Sequence, residues 1–476
     1  MKNRFSCGGK NVYSAVVNAW NSVGYVGLCL VVVNGVAGCR SSESSKPNTR
    51  TNAGVTTAEA TPEATSEEEV PVKTRQGSGK PAHGRPIQIV AGWNHICLRT
   101  DSDDVYCWGM NAGGEVGDGT INHSSPFDNV RRTPFHLGKI TNLKTMALGH
   151  MLSLAIAGEG VIWVWGGTTH LEPLIDGKYK SHLVPERLNV AVRLQSLSTS
   201  GAHACGIDAK NQLFCWGTND YGELGDGTDT ARPVPQRVEL PEPATYVSVS
   251  GNHSCAIVKS GAVYCWGLDP RGRPLEPVDK PDHFVPKHPP IDVGNARVLP
   301  APPPHWTEDP NHPRPKMHAD KKPVRIEGLE NTVSIALGEA QSILPYACAL
   351  GSDSIVRCWG ANDRGQLADG TYVDRSTPLP IKDITDATSI DAAGSRACVI
   401  RKDKSLWCWG LRYGIDPVSP IPLKEKVTDV HDVALGGDFA CAIHGDGIVS
   451  CWGYNGYSQL GNGGTDTSVA PVRVAF

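Results

Sequence analysis

The sequence lacks an excess of positive charge. Its 476 residues include 45 lysines and arginines against 49 aspartates and glutamates, for a formal net charge of -4. Proteins that bind nucleic acid neutralise the phosphate backbone with clustered basic residues, and no such stripe is present. The composition therefore predicts no nucleic-acid partner.

The sequence also lacks the short motifs of common catalytic sites. It contains no Gly-x-Ser-x-Gly, no phosphate-binding glycine loop, no His-Glu-x-x-His and no Cys–His nucleophile set. We therefore predict no catalytic residue, no metal site and no cofactor, and a function other than catalysis.

The N-terminal segment lacks charge between Lys10 and Arg40 and ends in Val-Ala-Gly-Cys at Cys39. Such an apolar stretch is typical of an export signal, and its end resembles a bacterial lipobox, in which the cysteine thiol takes the lipid. We predict a signal peptide over 1–39, lipidation of Cys39 and a place in the cell envelope, facing the periplasm or exterior. An uncleaved transmembrane anchor and plain secretion remain alternatives.

Residues 40–85 contain almost no large apolar side chain and are rich in Ser, Thr, Glu, Pro and Gly. Such a segment cannot bury enough apolar surface to fold. We predict a disordered linker that holds the folded part away from a membrane.

The dipeptide Trp-Gly recurs seven times after an apolar run. Five of the six steps are 43 to 57 residues long, and alternating apolar and polar residues flank turns within each repeat, a pattern that predicts β-hairpins. Small sheets of this kind bury both faces when they stack around an axis. We predict an all-β, seven-bladed β-propeller over 86–476, closed by a strand from Pro471 to Phe476 that joins the blade beginning near Ile87. The tryptophans are Trp108, Trp165, Trp216, Trp266, Trp359, Trp409 and Trp452.

The segments AGWNHICL, SGAHACGI and SGNHSCAI, with YCWG or FCWG and the loops NDYGELGDGT and NDRGQLADGT, resemble the repeat of the regulator of chromosome condensation family. The resemblance covers nearly all of 86–476 and implies the same seven-bladed fold. The loop after the tryptophan is present in repeats one, three, five and seven and absent from the others. His95, His203 and His253 occupy a family position that we interpret as structural.

Twelve of the fifteen cysteines form six pairs, each with nine intervening residues. In a hairpin of this length the two cysteines lie opposite each other on antiparallel strands, within reach of a disulfide. The second repeat has Leu154 and Val164 at these places, so both cysteines are absent together. Paired buried thiols and zinc sites are the alternatives. The predicted pairs are Cys97–Cys107, Cys205–Cys215, Cys255–Cys265, Cys348–Cys358, Cys398–Cys408 and Cys441–Cys451.

A stretch from 268 to 325 interrupts the fourth repeat and concentrates proline and histidine. Its five histidines are irregularly spaced, so we predict a surface loop rather than a metal site. Trp306 is a candidate contact residue because tryptophan is frequent in interface hot spots. We predict that Trp306, Arg314 and Lys316 contact a partner.

The function predicted is a surface-anchored or secreted protein-binding scaffold that acts as a monomer on an unidentified protein. Inhibition of an extracellular enzyme is an alternative, because the family's relatives include a secreted propeller that blocks β-lactamase. Guanine-nucleotide exchange is an activity known in the family. It fits poorly with an exported protein.

Overall fold

The computed structural model describes residues 80–121, 129–167, 181–268, 291–293, 296–298, 319–339, 345–411 and 418–476. They form seven four-stranded antiparallel sheets, the blades of a propeller, and one two-stranded hairpin. Within this part of the chain, no helix has the length and apolar character needed to cross a membrane. The predicted signal peptide, and the linker up to residue 79, lie outside the described residues.

Each blade is built from four strands in order along the chain. In blade 4 the two strands of the hairpin lie between the third and fourth strands in the sequence, but they form a separate sheet. Blade 1 contains β1 (Pro86–Ala91), β2 (His95–Thr100), β3 (Asp104–Met110) and β4 (Val130–Lys139). Blade 2 contains β5 (Leu143–Leu148), β6 (Leu152–Ala157), β7 (Val161–Gly167) and β8 (Ser181–Arg187). Blade 3 contains β9 (Leu194–Thr199), β10 (His203–Asp208), β11 (Leu213–Gly217) and β12 (Arg232–Val238). Blade 4 contains β13 (Ala244–Ser250), β14 (His253–Val258), β15 (Val263–Leu268) and β18 (Ala319–Ile326), with β16 (Ile291–Val293) and β17 (Ala296–Val298) as the hairpin. Blade 5 contains β19 (Thr332–Glu339), β20 (Pro345–Gly351), β21 (Val356–Gly360) and β22 (Arg375–Pro380). Blade 6 contains β23 (Ala387–Ala393), β24 (Arg396–Arg401), β25 (Leu406–Gly410) and β26 (Ser419–Lys424). Blade 7 contains β27 (Val430–Leu435), β28 (Phe439–His444), β29 (Ile448–Gly453) and β30 (Ser468–Arg473).

The first strand of each blade lies innermost, where it contacts the first strands of the neighbouring blades. The fourth strand forms the outer edge, and each carries a proline where its pairing register shifts. Proline has no N–H to donate, so it is tolerated at sheet edges and bulges, where it also blocks pairing with another chain. These prolines are Pro134, Pro185, Pro235, Pro323, Pro378, Pro422 and Pro471.

The hydrophobic core lies between the blades. Because successive strand residues point to opposite faces, Val105 and Cys107 pack toward blade 2, whereas Tyr106 and Trp108 pack toward blade 7. Seven such clusters fill the seven junctions between blades, and each contains one Trp-Gly tryptophan. The recurrent dipeptide therefore marks one packing position, repeated around the ring.

The prediction for the C-terminal strand is wrong. β30 pairs with β29 of its own blade, and β1 to β4 complete blade 1 without it. The proline-containing strand is the last strand of each blade rather than the first strand of the next. Each blade therefore begins one strand later in the sequence than predicted. The tail still contacts blade 1, because Phe476 packs edge-on against Tyr106, with ring centroids 5.5 Å apart.

The outer strand of blade 4 overlaps the predicted insertion. β18 pairs with β15 from Leu268 opposite Ala319 to Val263 opposite Ile326. The chain between these two strands therefore spans 269–318, and residues 319–325 belong to the blade.

Candidate functional site

The propeller has two faces with different chain connections. One face, which we call the loop face, carries the turns between first and second strands and the loops between third and fourth strands. The opposite face, the tether face, receives the chain from the N-terminal side. There the Arg85 N–H donates to Asp101 Oδ1 at 2.8 Å, and Pro86 pairs with Thr100 at the end of β2.

Four loops on the loop face share one fold, and we call them the clasp loops: 111–121, 218–231, 361–374 and 454–467. In the first, Asn111 Oδ1 accepts the N–H of Val116 at 3.0 Å, and its Nδ2 donates to Asp118 Oδ1 at 3.0 Å. In each of the other three loops the corresponding asparagine Oδ1 also accepts the backbone N–H of the residue five positions later. Ser458 occupies a position with φ of +61°, where the other loops have glycine.

Each clasp loop also buries a glutamate or glutamine. The Glu223 carboxylate accepts the Tyr221 N–H at 2.8 Å, and Gln366 Oε1 accepts the Arg364 N–H at the same distance. Burial raises the pKa of Glu115 to about 7, with backbone N–H groups opposing the shift. Because an uncharged glutamine serves equally well, these acids organise the loop and need no catalytic role.

Each clasp loop binds the next blade around the ring. Backbone N–H groups of Gly119, Gly227, Gly370 and Gly463 donate to the outer strands of blades 2, 4, 6 and 1. The indole Nε1 of Trp266, on blade 4, also donates to Glu223 O at 2.8 Å. Trp409 and Trp108 make the same bond to the clasp loops of blades 5 and 7. Trp165 follows the clasp loop of blade 1 but does not make this bond. Within the described residues its Nε1 has no partner, and neither do the Nε1 atoms of Trp216 and Trp359, which follow blades without a clasp loop.

This difference predicts that replacing tryptophan with phenylalanine lowers the free energy of unfolding by different amounts at different blades. Trp266→Phe removes a buried hydrogen bond as well as ring volume, whereas Trp216→Phe removes ring volume alone. We expect Trp266→Phe to lower the free energy of unfolding by about 1 kcal/mol more than Trp216→Phe, as measured by denaturant titration. Equal losses would show that the indole bond contributes nothing.

The six predicted cysteine pairs lie directly opposite each other on the second and third strands. The structure joins each pair, with Cα atoms 4.0 to 4.2 Å apart. Leu154 lies opposite Val164 in blade 2 in the same register. The bonds sit in the cores between blades and are remote from either face.

The histidines of blades 1 and 3 connect neighbouring blades. His203 Nε2 lies 2.9 Å from Ser254 Oγ, which donates to Glu223 O, while Nδ1 lies 3.0 Å from Ser200 Oγ within its own turn. His95 makes the matching contact with Ser153. Burial lowers the pKa of both imidazoles to about 3. His253 has no such serine, because blade 5 places Ala347 there.

A ring of polar side chains lines the central channel, one from each first strand. We call it the channel ring, and all its members are partly exposed although their neighbours along the strand include core residues. Gln88 Nε2 donates to Thr145 Oγ1 at 3.4 Å across the junction of blades 1 and 2. Its members are Gln88, Thr145, Ser196, Tyr246, Ser334, Ser389 and Asp432.

Two carboxylates dominate the electrostatics of this channel. Asp432 Oδ2 accepts the Ile89 N–H at 2.9 Å, and Asp391, one layer closer to the loop face, accepts the Leu435 N–H at 2.8 Å. Burial raises the pKa of Asp391 to about 7, and the charge of Asp432 adds to the shift while Arg396 opposes it. Burial raises the pKa of Asp432 to about 6.

The predicted partner residues Trp306, Arg314 and Lys316 lie outside the described residues, as do Cys39 and the five histidines of the insertion. Among the residues that the structure describes, no group of three or more potential metal ligands comes together. The channel ring was not predicted from the sequence. A signal was available, because in six of the seven repeats its member lies twenty residues before the tryptophan, as Gln88 does before Trp108.

Segments of four blades match a known repeat family. Profiles described as the regulator of chromosome condensation (RCC1) repeat match residues 210–257, and also 87–115, 195–223, 244–273 and 430–459. The chain is 23% identical over 163 residues to the probable E3 ubiquitin-protein ligase HERC6 of Homo sapiens, covering 32% of this chain and 15% of that protein. It is 29% identical over 138 residues to the RCC1 domain-containing protein RUG3 of Arabidopsis thaliana, covering 28% and 29%. The chain thus spans less than a third of the length of these relatives.

Solved structures show the same architecture. Human WBSCR16 superposes with a TM-score of 0.60 at 18% identity, covering 79% of this chain and 94% of that one. Prp20p of Saccharomyces cerevisiae, studied for its binding to Gsp1p and histones, gives a TM-score of 0.56 at 20% identity, with 78% and 85% covered. The chain is therefore a seven-bladed β-propeller, in which blades 1, 3, 4 and 7 contain segments that match the regulator of chromosome condensation repeat.

Proposed function

We propose that the protein is an exported, non-catalytic scaffold, lipid-anchored through Cys39 in a bacterial cell envelope, that binds another protein on its loop face. Protein binding is supported by the similar fold of Prp20p, which is described as binding Gsp1p and histones. Export is supported by the cysteine pairing, since disulfides persist in oxidising compartments.

The observation that carries the proposal is the position of the tether. Residues 80–85 reach blade 1 on the tether face, where the Asp101 N–H donates to Arg85 O at 2.9 Å. The described part of the N-terminal segment is therefore attached to the propeller on the tether face. We propose that the partner uses the opposite face, the loop face.

The loop face also carries side chains suited to binding. Tyr221 and Val373 on clasp loops are 40% and 48% exposed. The chain leaves blade 4 at Leu268 and returns at Ala319 on this face, so the segment that contains Trp306, Arg314 and Lys316 is attached there. We propose that these three residues contribute to the contact.

The test is a membrane-impermeant crosslinker applied to intact cells, followed by measurement of affinity for the captured protein. Because Leu268 and Ala319 are paired directly, a short Gly-Ser turn can replace 269–318 and keep β18 in place. We expect this deletion to weaken binding more than tenfold while the melting temperature stays within a few degrees.

Val234→Ala provides the control, because Val234 is 45% exposed on the outer edge of blade 3, away from both faces. It should leave the affinity unchanged. Absence of any crosslinked protein on intact cells would contradict the proposed location and binding together. Unchanged affinity after the deletion would move the contact from 269–318 to the blades.

A further inference from the structure

The channel ring offers many hydrogen-bond acceptors and two of them have no partner. Gln88 Oε1 and Ser389 Oγ are buried atoms without a hydrogen bond within the described residues. A buried polar atom left unpaired costs about 1 to 3 kcal/mol, so a donor brought into the channel would gain free energy by pairing with these atoms. These two atoms lie in blades 1 and 6, on either side of Asp432 in blade 7.

The two channel carboxylates are held rigidly by the backbone. Asp391 accepts the N–H groups of Leu435 and Ala392, and Asp432 accepts those of Ile89 and Val433, all at 2.8 to 3.0 Å. A carboxylate has about four acceptor positions, so each retains capacity for a further donor. Their geometry is fixed before any ligand arrives, which lowers the entropic cost of binding.

The charge balance at this level of the channel is negative. The charged and titratable groups that act on Asp391 are Asp432, Arg396, Tyr246 and Tyr346. Tyr346 donates its hydroxyl to Arg396 O at 2.6 Å, and Tyr246 bonds to Ser334. Arg396 is the one cation in this group, against two carboxylates. An additional cation would therefore be attracted.

We propose that Asp391, Asp432 and the channel ring bind a primary ammonium group, supplied by a lysine side chain of the protein that docks on the loop face. Asp391 lies two residues from Ala393, where β23 ends on the loop face, which is about 7 Å along the strand. An extended lysine can reach this depth. The ammonium group carries three donors and no acceptor, which matches the unpaired acceptors of the ring.

This inference rests on the proposed function for its partner, but the site can be tested without one. The probe is n-butylammonium chloride, titrated calorimetrically into the full chain at pH 8, with 1-butanol and sodium chloride as neutral and ionic comparisons. We expect saturable binding of n-butylammonium alone. Asp391→Asn, which keeps an acceptor for the Leu435 N–H, should weaken it at least tenfold.

Asp446→Asn is the matched control, because Asp446 is exposed in a turn on the tether face and the substitution removes the same charge. It should bind n-butylammonium as the unmodified protein does. Equal binding by Asp391→Asn, or no saturable binding by the unmodified protein, would overturn the proposal.

The captured partner separates this inference from the proposed function. If a partner is crosslinked on cells and its affinity falls at least tenfold in Asp391→Asn, the lysine assignment is supported. If that affinity is unchanged in Asp391→Asn and in saturating n-butylammonium, the lysine assignment fails while the proposed function stands.

Discussion

Reduction of the six disulfides is expected to lower the melting temperature by roughly 10 to 20 °C. Each bond closes a loop of ten residues in sequence separation and constrains the unfolded chain by about 3 kcal/mol in the chain-entropy model, with incomplete additivity. Thermal unfolding with and without reductant measures the change. Mass spectrometry of unreduced, exported protein should find the six intra-blade bonds, and free thiols at these positions would contradict the pairing.

Blade 2 provides a matched control for this prediction. Leu154→Cys with Val164→Cys places cysteines in the register that the other six blades share, so we expect a seventh bond. Conversely, Cys255→Leu with Cys265→Val gives blade 4 the residues of blade 2, removing the crosslink while retaining apolar packing. The first pair should gain up to about 3 kcal/mol in unfolding free energy and the second should lose a similar amount.

Acidification is expected to destabilise the protein through its buried histidines. The pKa of His203 is lowered to about 3 by burial, whereas the unfolded chain binds the proton near 6.5. Between these values the unfolded state holds more protons, so stability falls as the pH falls. From pH 7 to 4.5 the wild type should lose about 3 kcal/mol more than His203→Gln, measured by denaturant titration at each pH.

Protonation of Asp391 should have the opposite effect on stability from protonation of the buried histidines. Its pKa is raised to about 7, so the folded state binds a proton before the unfolded state does, and its contribution to stability rises as the pH falls from 7 toward 4. Wild type should therefore lose less stability on acidification than Asp391→Asn. Parallel pH profiles for the wild type and both variants would show that neither side chain changes its pKa on folding.

The blade number was predictable because the tryptophan lies at one packing position in every junction. The blade boundaries were harder to assign, since a periodic sequence fixes the length of a repeat but not where it begins. Pro471 illustrates this point. Its proline-containing strand resembles both an opening and a closing strand, and only the pairing of β30 with β29 decides between them.

The channel ring could not be recognised from residue types alone. Ser196, Ser389 and Thr145 are ordinary in half-buried strands, and their significance comes from a circular arrangement that brings together residues up to about 340 positions apart, such as Ile89 and Asp432. The clasp loops were the easier case, because the asparagine and the loop it organises lie within five residues of each other. The loop can therefore be recognised from one stretch of sequence, whereas the ring can be recognised only by comparing the spacing to the tryptophan across all the repeats.

Four clasp loops on seven blades divide the propeller into units of unequal size. Blade 7 is fastened to blade 1 and blade 1 to blade 2, while blades 3 and 4 form one fastened pair and blades 5 and 6 another. Native-state hydrogen exchange should then report three cooperative units, with slower exchange inside each than at the boundaries between blades 2 and 3, 4 and 5, and 6 and 7. The largest unit contains both the first and the last strand of the propeller, so the junction between blades 7 and 1 is expected to be among the last to open.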